Sequence, residues 1–192
     1  MNATVLSVRT FGASALAIVL LSACGETSDY REDPAAGLNG SFEVVQEGLP
    51  VNWYFYSPDT VPDGDFDIVL DSSGPRDGKQ SLKFAVRDCS AEGGRYSPGF
   101  FQEFDAAPGE TYTVSFWARN EGTTFSSGLR GVGSDTSESG GLVVERSESF
   151  SNWRYFEYRY EMPDQDNLRF EISVLAPGVL WVDDVRIARQ GR

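Results

Sequence analysis

The side chains suited to nucleophilic and acid–base chemistry are unevenly supplied in this sequence. Its 192 residues include no histidine, two cysteines, and 29 aspartates and glutamates. Without histidine there is no Ser-His-Asp or Cys-His arrangement, no HExxH helix and no imidazole-ligated zinc. What remains is two-carboxylate glycoside hydrolysis, or a lyase using a tyrosine with an arginine or lysine. With so many acids a pair can always be drawn, and no spacing marks one carboxyl as an acid beside its partner. No catalytic residue is assigned, and an enzyme is not expected.

The two cysteines stand in different settings. Residues 1–23 carry one charged side chain, Arg9, ahead of the apolar run 11–21 (FGASALAIVLL). That run is shorter than the roughly 20 residues that span a bilayer and fits the apolar region of a secretory leader. Leu21-Ser22-Ala23-Cys24 resembles the lipobox of bacterial lipoproteins. The resemblance implies removal of residues 1–23, lipidation of Cys24 and attachment to a membrane of the cell envelope through that lipid. Gly25 follows the cysteine where the enterobacterial retention signal has Asp, which points to the outer rather than the inner membrane. Cys89 is then left without an intramolecular partner and reads as a small buried hydrophobe.

The elements that must position any site begin after a polar, acidic tether, residues 24–37, too poor in apolar side chains to order itself. Residues 38–192 are enough for one domain with its own core. The formal net charge is −13, one unit more negative once Arg9 leaves with the leader. Such a surface repels nucleic acid and anionic head groups, so neither is an expected partner. From residue 38 the apolar pattern has period two, with turn residues between short runs. In 111–119, Tyr112, Val114, Phe116 and Ala118 share one face, and Thr113, Ser115, Trp117 and Arg119 the other. The turn chemistry of Ala107-Pro108-Gly109-Glu110 suggests that 99–104 is the antiparallel partner of this strand. Further strands are expected at 40–45, 53–56, 66–70, 81–87, 142–148, 155–161, 168–174 and 179–187. No helical stripe of useful length follows residue 24, and the expected fold is an all-β, two-sheet antiparallel sandwich.

Four segments, in order, carry a resemblance. They are Asn39-Gly40-Ser41-Phe42-Glu43, Gly78-Lys79-Gln80-Ser81-Leu82-Lys83-Phe84, the run from Pro108 to Ala118, and Trp181-Val182-Asp183-Asp184-Val185-Arg186-Ile187. Together they resemble galactose-binding-like jelly rolls, and within them carbohydrate-binding modules of families 4, 9 and 22. The resemblance implies a non-catalytic sandwich of nine or ten strands, commonly with one structural calcium. It places that ion where first and last strands meet: carboxylates from Glu43 and Asp184, carbonyls from near Ser41 and Lys79. Asp183 is an alternative, because neighbours on a strand point to opposite sides.

The same resemblance implies a sugar site, on a concave sheet face or among loops at one edge. Trp117 is the first candidate, with Arg119 beside it. Phe101 and Glu103 are expected to share the Trp117 face across the presumed strand pair. Tyr54 and Tyr56 alternate with Trp53, which is expected in the core, and are candidate platforms. Segment 120–141 is expected to be a Gly- and Ser-rich loop that offers Phe125 and Arg130 for binding, or merely connects. Trp153 is expected in the core. Two readings follow: a lipid-anchored module that binds a neutral glycan, or a structural or protein-interaction lipoprotein on the same sandwich. An open aromatic groove at Trp117 favours the first, a loop-covered face the second.

Overall fold

The computed structural model describes residues 38–133 and 141–190; the leader, Cys24 and the tether lie outside them. Among the described residues, no helix is long and apolar enough to cross a membrane. The described residues form twelve strands: β1 (Val45–Gln46), β2 (Leu49–Pro50), β3 (Tyr54–Tyr56), β4 (Asp65–Asp71), β5 (Ser81–Asp88), β6 (Gly99–Asp105), β7 (Thr111–Glu121), β8 (Phe125–Val132), β9 (Leu142–Arg146), β10 (Phe150–Glu161), β11 (Asn167–Val174) and β12 (Gly178–Arg189). β1 and β2 make a small ribbon. The others form two antiparallel five-stranded sheets, ordered β10-β7-β12-β5-β4 and β3-β6-β11-β8-β9. The expected sandwich is the observed one.

The core lies between the sheets and is built from the inward half of each alternation. Leu168, Phe170 and Ile172 of β11 are fully buried, as are Val114 and Phe116 of β7 and Leu180 and Val182 of β12. Phe84 and Phe100, from opposite sheets, stack at 6.0 Å, and Phe116 meets Phe170 at 5.9 Å. Each such side chain contributes on the order of 1.5–3 kcal/mol by leaving water. Trp53 joins this core as expected and donates its indole N–H to the Asn39 carbonyl at 3.1 Å.

Three expectations fail. β6 is not the partner of β7: it pairs with β3 and β11, while β7 pairs with β10 and β12. The Pro108-Gly109 turn carries the chain from one sheet to the other instead of closing a hairpin. Its backbone bonds go to the matching crossing between β10 and β11: Ala106 N–H to the Asp166 carbonyl, Gly109 N–H to Met162, and Met162 N–H to Glu110. Segment 120–141 contains a strand, β8, whose Gly and Ser disguised it. Ser127 occupies an inward position because its hydroxyl bonds the Tyr158 hydroxyl at 3.1 Å. Lastly, residues 40–44 are not a strand; the chain there turns through a left-handed Phe42 with φ 59°.

Candidate functional site

The outer face of the β3-β6-β11-β8-β9 sheet carries an open groove of about 760 Å³. Its centre is β11. Because Leu168, Phe170 and Ile172 point inward, Arg169, Glu171 and Ser173 must point out. Register sets Glu171 between Phe101 and Gly128, and Arg169 between Glu103 and Arg130. Arg169 uses its whole fork: Nε to Glu171 Oε2 at 3.0 Å, Nη1 to Glu103 Oε1 at 2.9 Å, Nη2 to the Tyr56 hydroxyl at 2.6 Å. Its guanidinium lies 3.7 Å over the Phe101 ring. Arg130 reaches the same Glu171 oxygen at 2.9 Å. Burial, and then the Glu171 charge, push the Tyr56 hydroxyl above its ordinary range.

A single 3-10 turn, Gly94–Tyr96, walls one side of the groove. Gly93 and Gly94, at φ 76° and 55°, make the left-handed bend that a side chain would resist. The Gly94 N–H bonds Ser173 Oγ at 3.0 Å, and Ser173 Oγ lies 3.3 Å from Glu171 Oε1. Tyr96 stands 49% exposed, its hydroxyl accepting from Arg95 at 2.7 Å. Toward the β3 edge, Tyr54 (61% exposed) and Tyr56 flank Phe101, each with its ring centre 5.2 Å away. The groove thus offers ring faces, a carboxylate that accepts, guanidinium and tyrosine groups that donate, and two serine hydroxyls, Ser126 and Ser173.

Of the expected binding residues, Tyr56 and Arg130 line this groove, and Tyr54, Phe101 and Glu103 share its sheet face. Phe101 and Glu103 therefore do not share a face with Trp117, which belongs to the other sheet. Phe125 is a core residue, fully buried against Phe150 and Phe156. Arg169, Glu171, Ser173, Tyr96 and Ser126 are new. The signal for the first three was the alternation L-R-F-E-I-S-V, which becomes informative once β11 is known to be central.

The outer face of the other sheet is clasped by the loop 72–80. Arg76 caps Trp117 at 4.2 Å, and Tyr155 leans on that indole at 5.2 Å. Trp153 is not in the core: it lies on this face and donates to the Gly74 carbonyl at 3.1 Å. Trp181 donates to Asp71 Oδ2 at 2.7 Å, and Arg119 lies 3.8 Å over the Trp181 ring. Asp183, fully buried, accepts the N–H groups of Arg76, Asp77 and Asp184 at 2.7, 3.0 and 2.8 Å. Burial pushes its carboxyl up to about 7 despite those bonds.

The corner expected to hold calcium joins this clasp. Glu43 Oε1 accepts from the Lys79 and Gln80 N–H groups, and Asp184 pairs with Arg186 at 2.7 Å. Among the described residues no three acidic or thiol side chains converge as ligands, so an ion there would need backbone carbonyls. Oxygen-only donors suit a hard cation. Phe42 and Asp184, both non-glycine and left-handed at φ 59° and 50°, flank the corner. Strain of that kind persists where surroundings over-determine it, as at ligand clamps. Glu43 and Asp184 are the carboxylates that an ion at this corner would take. Asp183 serves the loop.

No family model and no curated protein matches this sequence. Solved structures do match in shape. A family 4 carbohydrate-binding module aligns with a TM-score of 0.58 at 18% identity, covering 80% of this chain and 99% of that one. A xylan-binding domain of family 22 aligns at 0.57 and 19%, covering 83% and 98%. The fold is the jelly roll of carbohydrate-binding modules. The enzymatically active domain of bacteriophage CBA120 tailspike protein 4 aligns at 0.65 and 17%, over 81% of this chain. This chain matches only 21% of that one, so the likeness is to one part of a larger protein.

Proposed function

We propose that the chain is a non-catalytic, lipid-anchored envelope module that binds a neutral glycan in the groove over β11. One observation carries the reading: the groove sets a half-exposed tyrosine ring beside a carboxylate held between two arginines, on a floor of serine hydroxyls. A sugar ring presents an apolar C–H face to an aromatic ring and hydroxyls to such a set. Neutrality follows from the floor, where Glu171 and Glu103 already take up the Arg169 and Arg130 charge, and from a net charge of −13. Glu171 spends Oε2 on two guanidinium groups, which suits an acceptor more than a proton donor. The groove being on the fold of carbohydrate-binding modules supports the same reading. A structural calcium at Glu43 and Asp184 belongs to the proposal, with a role in holding the termini.

The test is titration of residues 25–192 with a panel of soluble and insoluble glycans, beside Tyr96→Ala and Glu171→Gln. We expect one neutral glycan class to bind, and each variant to lose at least about tenfold in affinity while remaining folded. A folded chain that binds nothing on the panel overturns the reading in favour of a protein-interaction lipoprotein.

A further inference from the structure

From Gly128 we infer where the ligand sits: this glycine is the steric seat of the groove, where a sugar ring lies against the β8 backbone. The inference rests on the glycan reading and deepens it.

Glycines with described surroundings have, with this one exception, an internal reason to be glycine. Some adopt left-handed backbone, such as Gly109 at φ 71° and Gly122 at φ 83°. In others an added Cβ would collide with packed atoms, as at Gly40 (1.9 Å from the Val185 carbonyl oxygen) or Gly99 (2.3 Å from that of Ile172). Gly128 has neither reason. Its φ is ordinary, and a Cβ would meet only the Leu142 carbonyl oxygen and Val143 Cγ2, both at 3.7 Å, which is normal contact. Yet Gly128 lies inside β8, between β11 and β9, where glycine weakens a strand and a branched residue would strengthen it.

Its place in the sheet supplies the missing reason. Gly128 pairs with Glu171 on one side and Val143 on the other, and all three line the groove. A side chain here would rise from the floor between the carboxylate that receives hydroxyls and the exposed Val143. Among the described residues nothing fills that space, and it is kept for a ligand. A ring seated there lies with its face on the backbone, so substituents directed at β8 would be rejected. The ligand class is a glycan with unsubstituted stretches.

The experiment is calorimetric titration of residues 25–192 and of Gly128→Ala, Gly128→Val and Glu171→Gln with xylo-, gluco- and galacto-oligosaccharides linked β-1,4, alongside thermal melting. We expect Gly128→Ala to weaken binding about tenfold and Gly128→Val at least about a hundredfold, as blocked pockets do, with melting temperatures equal to wild type or higher. If Gly128→Val binds like wild type while Glu171→Gln does not, the seat is elsewhere and the glycan reading stands. If Gly128→Ala lowers the melting temperature by more than a few degrees, packing explains the glycine and the inference falls. Wild-type chain that binds none of these sugars, nor any glycan on the broader panel, overturns the glycan reading and the seat with it.

Discussion

The two outer faces of this sandwich make opposite use of aromatic side chains. The β10-β7-β12-β5-β4 sheet carries Trp117, Trp153 and Trp181 outside, and all three are engaged: by Arg76, by the Gly74 carbonyl and by Asp71. Among the described residues, the β3-β6-β11-β8-β9 sheet carries no tryptophan on its outer face, only tyrosines and a phenylalanine around paired charges, and no loop covers its groove. Tryptophan on a strand's polar side is therefore a poor guide to binding. Among the described residues, what distinguishes the faces is whether a loop already occupies them.

Exchanging the losses between the faces would sharpen this contrast most. Glu171→Gln should cost binding, with a modest loss of stability as Arg169 and Arg130 lose a shared charge partner; Trp117→Ala should leave binding within about twofold. Trp117 is half-buried, so its truncation is expected to cost about 2 kcal/mol, below the range of fully buried tryptophans. For a domain of this size that lowers the melting temperature by about 4–8 °C. Trp117→Ala that melts normally but loses glycan would reverse the assignment of the two faces. A similar shift is expected from calcium. Saturation at a hundred times the dissociation constant stabilises by about 2.7 kcal/mol, so chelator should lower the melting temperature by about 5–10 °C. Glu43→Gln should abolish that difference. Equal melting with calcium and chelator would mean that the Lys79 and Gln80 N–H groups suffice.

The smallest effect is acid sensitivity of the clasp. Bonds from Ser73, and then from Trp181, hold the Asp71 carboxyl at about 2, below its ordinary 3.8. A depressed carboxyl stabilises the fold above its unfolded value, and that share is lost as pH falls from about 4 through 2. Melting curves of Asp71→Asn should fall less steeply across that window than wild type, with binding at neutral pH unchanged. Parallel slopes would remove Asp71 from the clasp.

Much of the fold was legible in residue order. Period two in 111–119 and 168–174 reads directly as strands with one buried face, and 66–70 and 81–87 fall inside β4 and β5. The pairing of 99–104 with 111–119 was not legible, because Pro108-Gly109 suits a hairpin and a sheet-to-sheet crossing equally well. What decides is bonding to residues 162–166, remote in sequence. β8 was hidden because Ser127 is polar at a buried position and Gly128 is absent as a side chain. The site was half legible for the same reason. Tyr56, Arg130, Phe101 and Glu103 could be picked as unusual side chains, but Arg169 and Glu171 gain meaning only from the strands on either side of them.

Sheet order has a consequence for how the chain is made. β11 lies between β6 and β8, and β12 between β7 and β5, so the two strands translated after all the others are the keystones of both sheets. A ribosome that has delivered β3 to β10 has delivered four strand pairs, β10-β7, β5-β4, β3-β6 and β8-β9, with nothing to join them into two sheets. Until the keystones arrive the chain has no finished sheet to lock, and the domain closes only once its last two strands are in place.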